Sequence, residues 1–80
     1  MITVEVRLYA TLRKYHPKLG IGEPWLITLD DKATLRNLLD ELKIPRKEIA
    51  VVFVNGKWEE EGYLLRNGDR IGTFPLVAGG

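Results

Sequence analysis

Gly79 and Gly80, the last two residues of the sequence, are the ones whose type and place point most directly to chemistry. The reactive group there is no side chain but the backbone carboxylate of Gly80. A carboxylate is a poor electrophile until it is activated, for example as a mixed anhydride with adenylate. An enzyme that forms such an anhydride must bring the terminal carbonyl against a nucleotide in a closed site. Two glycines make a thin, extended thread that permits this close backbone approach. Val77 and Ala78 are small enough to follow it in, and Leu76 and Pro75 complete the segment expected to bind in a partner's site, with Phe74 and Pro75 stiffening its base. With glycine at about 7% of residues, two terminal glycines arise by chance in about 0.5% of chains, so the dipeptide alone is a modest signal. Its setting adds weight. A frayed terminus is usually polar or charged, whereas this tail is apolar and leaves directly from a predicted strand.

Rival chemistries find little material. Among the 80 residues there is no cysteine and one histidine, His16. This excludes a disulfide scaffold, a thiolate nucleophile, a Cys-based metal site and a side-chain persulfide, and no metal ligand set is expected. His16, before Pro17 in a loop, is expected at the surface. A formal net charge of +1 is too small to imply nucleic acid or an anionic membrane as the main partner. No basic segment followed by an apolar run opens the chain, and no apolar stretch approaches the roughly 20 residues of a membrane span. The expected compartment is the cytoplasm.

The elements that must position the tail follow from periodicity. Ile2, Val4, Val6 and Leu8 alternate with Thr3, Glu5, Arg7 and Tyr9, the period of a strand with one buried face. Leu12 to Tyr15 allow one helical turn before His16-Pro17 stops it, and Gly20, Gly22 and Pro24 mark a loop. A second strand runs over Trp25–Leu29 and closes at Asp30-Asp31-Lys32; it is expected to form a hairpin with the first. Thr34 is a good N-cap for a helix whose Leu35, Leu38, Leu39 and Leu42 make a single apolar stripe, with Pro45 as its stop. Ala50–Val54 reads as a buried strand, Asn55-Gly56 as a type I′ turn and Lys57-Trp58 as a short return strand. Glu59-Glu60-Glu61 is expected to be a solvated turn. Leu64 and Leu65 should anchor a loop or short helical turn, Asn67-Gly68-Asp69 should make a tight turn, and Arg70–Pro75 is the last strand. Strands around one amphipathic helix indicate an α+β domain with a mixed sheet of four to five strands. The predicted division is a domain over residues 1–75 and a tail over residues 76–80.

This pattern resembles the small subunit of molybdopterin synthase and the wider group of ubiquitin-like β-grasp sulfur carriers, which includes the thiamin-pathway carrier. The residues that carry the resemblance are the Tyr9-Ala10-Thr11-Leu12-Arg13 segment, the Thr34-capped leucine helix, the Val-Asn-Gly hairpin at Val54 to Gly56, the Asn67-Gly68-Asp69 turn and the Phe74-Pro75-Leu76-Val77-Ala78-Gly79-Gly80 end. The Phe74-Pro75 pair points to the molybdopterin branch, whose tails usually read Phe-Pro-Pro-Val-Ala-Gly-Gly; Leu76 departs from that at the second proline. The resemblance implies that an E1-like enzyme adenylates Gly80 with ATP, that a sulfur donor converts it to a thiocarboxylate, and that the charged tail enters the large subunit of the synthase. The chain itself would supply the reacting atom, with no general base, no metal and no bound cofactor.

Strand parity locates a docking face. If Ile2, Val4, Val6 and Leu8 face the helix, Arg7 and Tyr9 face outward, and Tyr9 aligns with an aromatic contact position expected of the family. An exposed aromatic near the tail is a suitable docking anchor, and Phe74 is a second on the same terms. The first 20 residues also carry Arg7, Arg13, Lys14 and Lys18 against Glu5, which would steer an acidic partner. Two other readings use the same chain: a ubiquitin-like modifier joined to lysines through Gly80, and a β-grasp interaction module whose tail is never activated.

Overall fold

The computed structural model describes residues 1–76. Its five strands, β1 (Ile2–Leu8), β2 (Trp25–Leu29), β3 (Ile49–Val54), β4 (Lys57–Trp58) and β5 (Arg70–Pro75), form one sheet in the order β2-β1-β5-β3-β4. β1 and β5 run parallel at the centre, and the remaining pairs are antiparallel. One α-helix, α1 (Leu35–Leu42), packs on the sheet, and short 3-10 helices occupy Ala10–Tyr15 and Arg46–Glu48. This is the ubiquitin-like β-grasp architecture expected from the sequence.

The core is the meeting of two stripes. Val4, Val6 and Leu8 of β1 and Ile71 of β5 face Leu35, Leu38, Leu39 and Leu42 of α1, all buried. Each such aliphatic side chain contributes about 1.5–3 kcal/mol on burial, so the helix stripe is what holds this short helix against the sheet. Thr34 caps α1 through a reciprocal capping box. Its Oγ1 accepts from the Asn37 amide at 3.3 Å, and Asn37 Oδ1 accepts from the Thr34 amide at 2.8 Å.

The helix ends earlier than Pro45 alone predicts. Lys43 adopts the left-handed conformation (φ 58°) and closes the last turn, leaving Pro45 to begin the second 3-10 helix. β3 also begins one residue earlier than expected. It carries a register shift between Ile49 and Val51 and is buried on one face only, with Val51 and Phe53 half-buried. Of the two leucines expected to anchor a loop, Leu65 is buried while Leu64 is 57% exposed, because Leu64 bridges to Thr34 through its backbone and turns its side chain to solvent. His16 is half-buried rather than superficial, since its ring meets Trp25 edge-on with centroids 4.6 Å apart. The Glu59–Glu61 turn is only partly solvated: Glu61 accepts from Arg46 at 3.0 Å and pairs with Arg36 at 3.4 Å. The hairpin at Asn55-Gly56 has both residues at positive φ, 52° and 84°, as a type I′ turn requires.

Candidate functional site

β5 is the strand that leads into the tail, and it is the middle strand of the sheet, paired with β1 on one side and β3 on the other. Its entrance is fixed by the Asn67-Gly68-Asp69 turn. Asn67 Oδ1 accepts from the Thr3 amide at 2.8 Å, and the Gly68 amide, reached at φ 87°, donates to the Thr3 carbonyl at 2.8 Å. Asp69 is 5% exposed, a costly place for a carboxylate unless it is satisfied. Its two oxygens accept from Asn55 Nδ2 and the Arg66 amide, each at 2.9 Å. Asn55 in turn accepts from the Arg70 amide at 2.9 Å, so the β3–β4 turn is locked to the start of β5. At the far end Pro75 still pairs with Ile49, and Leu76 stands 72% exposed just beyond the strand. Pro75 and Leu76 are therefore placed where the chain leaves the sheet. The other predicted tail residues, Val77, Ala78, Gly79 and Gly80, lie outside the described residues.

Beside this exit the outer face of the sheet carries an aromatic platform. The rings of Tyr9 and Phe74 stack with centroids 4.7 Å apart and 2° between planes, and Phe53 meets Phe74 edge-on at 5.6 Å. Such contacts contribute about 0.5–1.5 kcal/mol each beyond area burial. Gly72 makes the stack possible. A Cβ built there would lie 3.4 Å from both the Tyr9 and the Phe74 rings, so the two side chains converge over a residue that offers no bulk. Together with Arg7, Asn55 and Arg70 these residues line an open groove of about 570 Å³.

The three predicted docking residues, Tyr9, Phe74 and Arg7, thus lie on one face. Parity alone places Tyr9 and Arg7 there; the presence of Phe53, Gly72 and Arg70 beside them follows only from the strand register. Phe53 was legible in principle, since buried Val52 and Val54 force it outward, but its meeting with Phe74 depends on the β3–β5 register. Arg7 is not a free cation. It pairs with Glu5 at 3.2 Å and donates from Nε to the Gly22 carbonyl at 3.1 Å. Lys14 is likewise engaged, with Glu48 at 3.3 Å. The predicted basic steering patch of the first 20 residues is therefore reduced at two of its four cations. Among the described residues no cluster of three His, Cys, Asp or Glu side chains is arranged to hold a metal, and no helix is long and apolar enough to cross a membrane.

The family model described as Mut7-C ubiquitin matches residues 1–79. The chain belongs to this Mut7-C ubiquitin family. No curated protein matches the chain. Solved structures that resemble it share the fold over nearly their whole lengths. One is the small archaeal modifier protein SAMP1 of Haloferax volcanii, at 24% identity and a TM-score of 0.77, with 98% of this chain and 99% of that one covered. A second, from Pyrococcus furiosus, is named as subunit 1 of a molybdopterin converting factor; it has 24% identity and a TM-score of 0.77, with 96% and 100% covered. A further Haloferax volcanii protein, solved in solution, has 26% identity and a TM-score of 0.73, with 99% and 87% covered. The Mut7-C ubiquitin chain therefore has the ubiquitin-like β-grasp fold found in a molybdopterin-factor subunit and in a protein modifier. The resemblance read from its sequence holds at that level.

Proposed function

We propose that this protein is a sulfur carrier whose working group is the Gly80 carboxylate, acting in the cytoplasm as the small subunit of a molybdopterin synthase. The observation that carries the reading is the exit of the chain. A central strand, clamped by β1 and β3, ends at Pro75 and releases Leu76 into solvent toward Gly79-Gly80, beside an aromatic groove suited to docking. In this reading an E1-like enzyme recognises the Tyr9–Phe74 platform and receives residues 75–80 as a thread. A carboxylate oxygen of Gly80 attacks the α-phosphorus of ATP and pyrophosphate leaves. Sulfide released by a donor then attacks the carbonyl carbon, the C–O bond to AMP breaks, and a thiocarboxylate is left. The large subunit of the synthase takes the same tail and passes the sulfur to a pterin precursor. The name of the Pyrococcus furiosus structure supports the pathway.

The test uses the native protein, with its C-terminus first read by intact mass. Incubated with ATP, a cognate activating enzyme and a sulfur source, it should gain the mass difference between one sulfur and one oxygen, all of it on Gly80. A chain that continues past Gly80, or one that forms neither adenylate nor thiocarboxylate, overturns the proposal. A second reading is favoured by the name of the Haloferax volcanii structures, modifier proteins. The activated Gly80 would then be joined to lysine amines, and Gly-Gly remnants on cellular lysines that vanish with the gene would mark it.

A further inference from the structure

A second groove, of about 310 Å³, lies between α1 and the outer edge of the sheet and shares no residue with the aromatic face. Ile49 and Ala50 of β3 contribute to its apolar wall over the buried Leu39 of α1, and Trp58 of β4 stands beside it 60% exposed. A large, exposed aromatic at the margin of an apolar groove is the type of residue that anchors interfaces.

Two independent features say what would fill it. The first is backbone. β4 has only two residues and pairs only with Phe53 and Val54, so on this side Ile49–Val51 of β3 have no strand partner among the described residues. Ile49 and Ala50 line the groove. An open edge of this kind is a template for an added strand. The second is charge. Glu59, Glu60 and Glu61 form the rim, and the one cation in the lining, Arg46, is already engaged, with Asp40 at 2.8 Å and Glu61 at 3.0 Å. Glu59 and Glu60 make no ion pair among the described residues, so the rim keeps negative charge that no residue of the groove offsets.

We infer that this groove is a docking site for an extended, lysine- or arginine-bearing peptide segment of a partner protein, which adds to the edge of β3 and sets apolar side chains against Ala50 and Trp58. The site is separate from the tail and does not depend on the carrier reading. Charge complementarity selects a basic segment over an acidic one, and the short open edge limits the added strand to about three or four residues.

The probe is the peptide acetyl-Lys-Val-Lys-Val-Lys-Val-Lys-amide, titrated into the full-length, nitrogen-15-labelled protein. Saturable displacement of the Trp58 indole and of the Ala50 and Glu60 amides is expected, with slowed amide exchange within Ile49–Val51. The double variant Glu59→Gln/Glu60→Gln should weaken binding roughly five- to tenfold, and Trp58→Ala should weaken it further. Both changes fall on exposed or rim side chains, and unchanged amide signals from β1 and α1 verify that the variants fold. The inference is overturned by no saturable displacement, by equal binding of the matching Glu-Val peptide, by displacement centred on Tyr9 and Phe74, or by concentration-dependent shifts at Trp58 without peptide, which would assign the groove to a second copy of the chain.

Discussion

At the scale of single residues, the proposed docking face turns on Gly72. Its neighbours fix what a side chain there would meet, the Tyr9 and Phe74 rings, each 3.4 Å from a Cβ. An alanine reaches ordinary contact and leaves the stack in place. The branched γ-carbons of valine project past that contact and force one ring aside. The two energies involved nearly cancel: valine gains up to about 1 kcal/mol of strand preference over glycine, while the broken aromatic pair costs about 0.5–1.5 kcal/mol. Folding stability is therefore a poor readout, and ring geometry a good one. In Gly72→Val the ring-current shifts of the Tyr9 protons should collapse and affinity for the activating enzyme should fall at least fivefold, with Gly72→Ala close to wild type on both. A valine variant with intact ring-current shifts would show that the stack does not need the glycine. This residue also marks a limit of sequence reading. Alternation along β1 places Arg7 and Tyr9 outward, but the meeting of Tyr9, Phe53 and Phe74 over Gly72 depends on the register of three strands, and no local pattern encodes register between segments so far apart in the chain.

At the scale of elements, the two 3-10 helices are tied together by Tyr15, whose hydroxyl donates to Glu48, with Lys14 on the other carboxylate oxygen at 3.3 Å. Neither 3-10 helix has a side-chain cap, so this tether does part of the work a cap would do. The Tyr15 bond holds the Glu48 carboxyl below its ordinary value; burial opposes this and Lys14 assists. The same bond, with burial adding to it, holds the Tyr15 hydroxyl above its own ordinary value. A depressed carboxyl contributes stability above its unfolded value of 4.5 and loses it as pH falls through the lower folded value. A raised phenol contributes below 10.0 and loses it as pH rises through the higher folded value. Denaturant midpoints of wild type and Glu48→Gln should therefore differ most at neutral pH and converge in acid below 4.5. A gap that persists unchanged into acid would show that the charge of Glu48 does not support the tether. The sequence anticipated the first of these turns from Leu12 to Tyr15 but not the second. Arg46–Glu48 follows a proline that the pattern marks only as a stop. The true stop is Lys43 in the left-handed conformation, which lysine seldom adopts and which nothing in its neighbours announces. The strands with strong periodicity, β1 and β2, needed no such correction, and α1 needed one only at its end.

At the scale of the whole molecule, the β-grasp body is a holder that brings one strand to an exit. The division of labour is visible in burial. The leucine stripe of α1 and the inner faces of β1 and β5 are closed to solvent, and among the described residues the core ends at Ile71, with Leu76 already exposed. On the proposed carrier reading stability and transfer chemistry are separable, which distinguishes a carrier from an interaction module. Removing Gly79 and Gly80 should leave the thermal midpoint within about 1 °C of the full-length value, because the last residues of a chain ordinarily contribute little to stability. The shortened chain should still bind the activating enzyme through the Tyr9–Phe74 face, with modestly reduced affinity, yet accept no adenylate and support no cofactor synthesis. An inert module predicts full function from the same deletion. A chain that destabilises on losing two glycines would contradict both, and would mean that the tail packs on the body it is proposed to leave. Replacing only Gly79 with alanine refines the comparison. If the glycines serve a narrow passage to the nucleotide, one added methyl group should slow adenylation roughly tenfold or more while binding through the aromatic face is unchanged. That split between docking and activation is the behaviour expected of a rigid body presenting a thin, reactive thread.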